Sequence, residues 1–123
     1  MMSFQEEKID APIYFIEYVD GTIKLNIGNY SEPIILSANQ VVDYSDKITT
    51  LTDIKKSHLS MVLKNEPEVI LIGTGLKQAL PVVGIVAELA KLGKSADFMS
   101  SEQACKTYNL LVNENRNVSC III

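Results

Sequence analysis

The chain has 123 residues, enough to build one domain around a sizeable core but not two. Hydrophobic residues make up 47% and charged residues 21%, a globular and not a disordered balance. The formal charge of −4 and a single arginine, Arg116, argue against nucleic acid, which demands a basic face to displace counterions.

No apolar run reaches transmembrane length. The opening stretch, MMSFQEEKID, carries Glu6, Glu7 and Asp10 without an apolar segment, so it reads as neither a signal nor a transit peptide. A disordered lead-in over residues 1–10 of a single domain is expected. Cys105 and Cys120 are the only cysteines and fit a reducing, cytoplasmic location without a disulfide.

The first half is strand-rich. IYFIEYV (13–19), the Asp20-Gly21 turn and TIKLNI (22–27) form a hairpin pattern, with Tyr14, Ile16 and Tyr18 on one face and Ile23, Leu25 and Ile27 on another. Gly28-Asn29 reads as the next turn, and residues 33–36 and 40–44 read as short strands completing a meander. The period then changes. Residues 53–65 are helical, with Ile54, Leu59, Val62 and Leu63 as the stripe, and His58, the only histidine, has no ligand-spaced partner. A strand over 69–72, a helix led by Pro81 to Leu92, and a stop at Gly93 follow. A strand at 95–99 precedes a helix over 101–113. It is capped by Ser100 with Gln103 three residues on, and buries Ala104, Tyr108 and Leu111. NVSCIII (117–123) is the last, buried strand.

The strand VILI runs into Gly73-Thr74-Gly75, the opening of many nucleotide sites. Here Gln78 replaces the third glycine and Pro81 delays the helix that would hold a pyrophosphate. There is also no complete Gly-x-x-x-x-Gly-Lys-Ser/Thr phosphate loop. The turn is therefore read as a strand end requiring positive φ or close backbone approach, with no cofactor.

PEVILIGTG, Pro81 and ACKTYNLLVNENRNVSCIII together resemble a small α/β family of largely unknown function. That family includes the mitochondrial respiratory complex I assembly factor 3 and an adipogenesis-associated protein. Gly73, Thr74, Gly75, Ala104, Cys105, Thr107, Tyr108, Asn109 and Arg116 match its motifs, whereas Lys106 and Asn115 depart from the arginine and glycine usual there. The resemblance implies a three-layer α/β fold: a central mixed sheet, helices on both sides and an N-terminal β-meander layer. It implies no established enzyme activity, and assistance in assembling a respiratory complex for eukaryotic members.

Strand C-terminal ends in such sheets converge on a crevice. The candidate cleft therefore comprises Gly73, Thr74, Gly75, Lys77, Ser101, Cys105, Lys106, Tyr108 and Asn109. It serves either a small, anionic ligand or internal bracing. Cys105 near a helix start beside Lys106 is the one candidate thiol, but no histidine base accompanies it. Tyr108 is expected in the core with its hydroxyl anchored, and Asn109 is expected to bond a neighbouring backbone. No catalytic residue and no metal site is assigned. The leading reading is a non-enzymatic binding or assembly-factor-like protein acting on a protein partner. A small-molecule binder or enzyme is the alternative, and self-association through a strand edge is a third.

Overall fold

The computed structural model describes residues 9–37, 39–42 and 47–123. Its first unit is a three-stranded antiparallel sheet, β1 (Phe15–Val19), β2 (Thr22–Leu25) and β3 (Gly28–Tyr30), in that order. Asp20 and Gly21 both take positive φ, 49° and 79°, which the two-residue turn pairing Val19 with Thr22 requires. The next turn lies two residues earlier than expected. Asn26 and Ile27 form it, and Gly28 already opens β3. Asn26 fixes the corner by accepting from Tyr14 N at 2.9 Å and donating to Pro12 O at 2.9 Å.

One face of this hairpin differs from the alternation read from sequence. The register shifts between Phe15 and Glu17, so Phe15 and Tyr18 both point inward. A bulge inserts one residue and breaks the period of two. Tyr14 and Ile16 are therefore only half-buried, and Ile27, in the turn, is 55% exposed.

The second sheet has five strands in the order β5-β4-β8-β6-β7. β4 (Ile34–Ser37) and β5 (Gln40–Val42) form an antiparallel hairpin, and β4 pairs antiparallel with β8 (Val118–Ile122). β6 (Val69–Gly73) runs parallel to both β8 and β7 (Asp97–Met99). Residues 43 and 44, the end of the expected strand 40–44, lie outside the described residues, as do residues 1–8 of the lead-in.

The expected helix 53–65 is shorter. A single 3-10 turn, Leu51–Asp53, precedes α1 (Lys56–Leu63), and Ile54 sits between them in extended conformation. His58 is buried and accepts from Lys55 N through Nδ1 at 2.9 Å, so it occupies the place that Glu or Gln takes in a capping box. α2 (Val83–Ala90) ends in a turn with Gly93 at φ 69° and Lys94 N donating to Leu89 O at 2.9 Å. α3 (Ser101–Asn113) starts where Ser100 Oγ accepts from Gln103 N and ends with Asn115 at φ 63°, the left-handed cap that asparagine tolerates.

The two crossovers from β6 to β7 and from β7 back to β8 run in opposite directions, so a common hand places α2 and α3 on opposite faces. The packing agrees. Ile35, Ile70, Ile72 and Ile121 meet Leu59, Val62, Ile85 and Leu89 of α1 and α2 on one side. Leu36, Leu71, Cys120 and Ile122 meet Ala104, Cys105 and Tyr108 of α3 on the other, together with Phe15, Tyr18, Ile23 and Leu25 from the small sheet. The three-layer α/β fold with its added β layer is thus present, and all five residues of β8 are buried at its centre.

Candidate functional site

The C-terminal ends of β6, β7 and β8 meet at Gly73, Met99 and Ile122. The two glycines there have different reasons to be glycine. A Cβ on Gly73 would lie 2.8 Å from Ser101 Oγ and 2.9 Å from Ser101 Cα, so the α3 start sits directly against the strand. Gly75 has open space around it but takes φ +100°, which side-chain-bearing residues resist.

Polar groups at this junction are satisfied by the chain itself. Ser101 N donates to Gly75 O at 2.8 Å, and Gly75 N donates to Ser101 Oγ at 2.9 Å. That hydroxyl donates in turn to Ile123 O at 2.7 Å, which also accepts from Tyr18 Oη at 2.8 Å. Burial raises the Tyr18 pKa, so the phenol stays a donor. Thr74 N donates to Met99 O at 2.8 Å. Its hydroxyl closes the following loop by donating to Lys77 O at 2.6 Å and accepting from Ala79 N at 3.1 Å. The Thr74, Gly75 and Ser101 amides therefore already have partners within the chain.

The nine residues gathered from sequence separate into three groups. Gly73, Thr74, Gly75 and Ser101 come together as described. Cys105, Tyr108 and Asn109 lie on the inward face of α3, buried against the small sheet. The side chain of Lys106 turns outward to Glu102, 3.5 Å away, and Lys77 lies in the exposed loop. A helix repeats every 3.6 residues, so residue 106 lies about 100° from residue 105 and leaves the face that 105, 108 and 109 share.

Burial governs the chemistry of the inward group. Cys105 and Cys120 are both free thiols, and desolvation pushes both pKa values up, the opposite of what an attacking thiolate requires. Tyr108 packs edge-on against Phe15, with ring centroids 5.2 Å apart at 88°, and burial raises its pKa as well. The anchor expected for its hydroxyl is missing: the group is buried with no hydrogen-bond partner among the described residues. The apolar packing of the ring sets its position.

Asn109 makes a paired polar contact in this layer. Its Oδ1 accepts from Phe15 N at 2.9 Å and its Nδ2 donates to Phe15 O at 2.7 Å. A carboxamide carries the donor and acceptor of a peptide group, so Asn109 serves as one residue of surrogate strand along the free edge of β1. Arg116 is similarly structural. Its Nε meets Glu68 Oε2 at 3.3 Å while Glu68 Oε1 accepts from Asn117 N at 3.0 Å, clamping the starts of β6 and β8. No group of His, Cys, Asp and Glu among the described residues could hold a metal ion.

Ser101, Tyr18 and the Ile123 carbonyl are joined only by the fold; no local motif connects them. With Gly-Thr-Gly, Ser101 and the Asn109 clasp in place, the comparison with known proteins is decisive. A model of the family described as "Protein of unknown function (DUF498/DUF598)" matches residues 15–123. The chain belongs to this family.

Its relatives are informative in name. The chain is 64% identical over 123 residues, the whole of both proteins, to the "13 kDa major membrane protein" of Francisella tularensis subsp. holarctica (strain LVS). It is 30% identical over 95 residues to "NADH dehydrogenase [ubiquinone] 1 alpha subcomplex assembly factor 3" of Drosophila melanogaster. That match takes in 74% of this chain but 47% of the fly protein, so the chain spans about half the length of that relative. A crystal structure of a Bordetella parapertussis protein superposes with a TM-score of 0.78 at 28% identity, covering 96% of this chain and 98% of the other.

A further surface was not read from the sequence. α2 (VGIVAELA) buries Ile85 and Leu89, yet its outward side is also apolar, with Val83, Val86, Ala87 and Ala90 exposed. The loop that leads into it adds Leu76 at 74% and Leu80 at 87%, and the helix begins with Val83 at 82% exposure. The signal was available, because a helix apolar all round is one that something covers.

Proposed function

We propose that this chain is a non-enzymatic, assembly-factor-like docking protein whose work is done by surface contact and not by chemistry at the glycine turn. The observation that carries this reading is the outer face of α2 with its leading loop, where Leu76, Leu80, Val83 and Val86 are all exposed within eleven residues. Two further facts support it. The Gly75 and Ser101 amides and the Ser101 hydroxyl donate within the chain itself, and the candidate thiol is buried with a raised pKa. The Gly-Thr-Gly motif and Ser101 then brace three strand ends so that α2 and its loop are held in place.

The name assembly factor carried by the fly relative supports a protein client. The name membrane protein carried by the Francisella relative supports work at a membrane, while no described helix is long and apolar enough to cross one. A cytoplasmic protein attached at a membrane surface accommodates both names.

The test pairs two measurements. Native capture is run with the wild type and with a Leu80→Asp/Val83→Asp double variant whose Tm matches it, and the clients counted are those lost only in the variant. Phosphate, sulfate and small carboxylates are titrated against the wild-type Tm in parallel. The docking reading expects clients lost with the variant and no saturable Tm rise. Unchanged capture, together with a saturable rise, would overturn the docking reading in favour of an anion site.

A further inference from the structure

The docking face carries charge as well as apolar surface. Between residues 69 and 96 the chain has Lys77, Lys91 and Lys94 against Glu88 alone, although its net charge is −4. Glu88 is itself neutralised, lying 3.1 Å from Lys91 and 3.7 Å from Lys56. The apolar face is thus bordered by cations in a protein whose remaining surface is acidic. Lys77 precedes α2, and Lys91 and Lys94 follow it, so positive charge stands at both ends of the exposed helix.

Three occupants could cover such a face, and the charges discriminate among them. A second copy packed face to face would bring these lysines against their own kind. A protein partner would need a shaped, acid-rimmed pocket for leucines that project almost fully into solvent. A lipid leaflet needs no pocket: it accepts projecting aliphatic side chains at the headgroup boundary while its phosphates meet the lysines. The acidic remainder of the chain then faces away from the anionic plane, which orients the molecule as it approaches.

We infer that the loop 76–82 and the outer face of α2 seat this protein on a bilayer surface containing anionic phospholipid, with Leu76, Leu80 and Val83 inserted and Lys77, Lys91 and Lys94 on the headgroups. This rests on the docking reading above and names the partner of that same face. Attachment is peripheral and reversible, because a few aliphatic side chains and lysines give only modest affinity. A protein client is then one met at the bilayer, so that losing the seat loses the client as well.

The chain has no tryptophan, which makes a clean test possible. Leu80→Trp supplies a single fluorescent reporter on the inserting loop. Binding is measured by sedimentation with vesicles of phosphatidylcholine and phosphatidylglycerol in equal parts and with phosphatidylcholine alone. The expected result is binding to the mixed vesicles, release by salt, and a blue shift of the indole emission in the Leu80→Trp variant. Lys77→Glu, Lys91→Glu and Lys94→Glu should each weaken binding by about fivefold or more, the equivalent of roughly 1 kcal/mol per lysine. Leu80→Asp/Val83→Asp should abolish binding at unchanged Tm.

No binding to mixed vesicles, binding without a blue shift, or binding that survives the double aspartate variant would overturn the inference. A concentration-dependent dimer lost in the double variant would overturn it in favour of a second copy. If vesicles fail but a detergent-solubilised client is still lost with the double variant, the lipid falls and the docking reading stands. If both fail, the docking reading falls too.

Discussion

Asn109→Ala should remove more stability than any exposed substitution of similar size. Asn109 and Phe15 are both buried, and the carboxamide satisfies the N–H and the C=O of Phe15 at 2.9 and 2.7 Å. Truncation leaves both backbone groups dry and unpaired, at about 1–3 kcal/mol each. A total of roughly 2–6 kcal/mol corresponds to a fall in Tm of about 8–24 °C, since about 1 kcal/mol moves a domain of this size by roughly 4 °C. Urea unfolding gives the first number and thermal unfolding the second, and hydrogen exchange should show the Phe15 amide losing protection. Asn109→Asp separates hydrogen bonding from packing. Its ionised carboxylate still accepts from Phe15 N but faces Phe15 O without a proton to donate, so this variant should hold its proton above the ordinary carboxylate range. Folded-state protonation then favours the native state at low pH, and this advantage is lost as pH rises through the raised pKa. Asn109→Asp should therefore be less destabilised at pH 4 than at pH 7. A loss below about 1 kcal/mol for Asn109→Ala, or a pH-independent deficit for Asn109→Asp, would refute the surrogate-strand account.

Gly73→Ala and Gly75→Ala should each cost about 1–3 kcal/mol, for different reasons. The first forces a Cβ against the Ser101 backbone at 2.9 Å, while the second strains a φ of +100° in open space. Urea unfolding should therefore show Gly75→Asn losing less than Gly75→Val, with no such ranking at Gly73. Tyr108→Phe should be neutral or slightly stabilising by thermal unfolding, because the hydroxyl it removes is buried without a partner among the described residues. Asp53 accepts from the Thr49 hydroxyl and from the Thr49 and Thr50 amides, which lower its pKa to about 2. A depressed carboxylate stabilises the fold above its unfolded pKa near 3.8 and loses that contribution as pH falls toward about 2. The Tm gap between wild type and Asp53→Asn should thus be open at pH 6 and close between about pH 4 and 2.

Much of the second half was legible because its signals are local. The apolar run 69–72 could only be a buried strand, Ser100 and Gln103 marked a helix start, and Gly93 and Asn115 marked helix ends. The first half was less legible because its key event is a bulge. Nothing in IYFIEYV says that Phe15 and Tyr18, and not Tyr14, Ile16 and Tyr18, share the inner face. That choice is made by packing against α3 and by the Asn109 clasp. The meeting of Gly73, Gly75 and Ser101 followed from the convergence of parallel strand ends. The separation of Lys106 from Cys105, Tyr108 and Asn109 follows from helical period once the inward face is known. The tethering of Ile123 by Ser101 and Tyr18 joins three distant parts of the chain and leaves no local trace.

The order of strands constrains how the chain can be made. Among the described elements, β8 follows every other strand, yet it lies between β4 and β6 and alone hydrogen-bonds to both. Until it arrives, the β4–β5 hairpin and the β6–β7 pair have no common partner, and each presents an unpaired apolar edge. During synthesis the earlier elements can therefore collapse but cannot close their sheet, and closure waits on the last strand. Such a chain is most vulnerable to edge-to-edge association while β8 is missing, and a variant truncated after residue 113 should display that hazard.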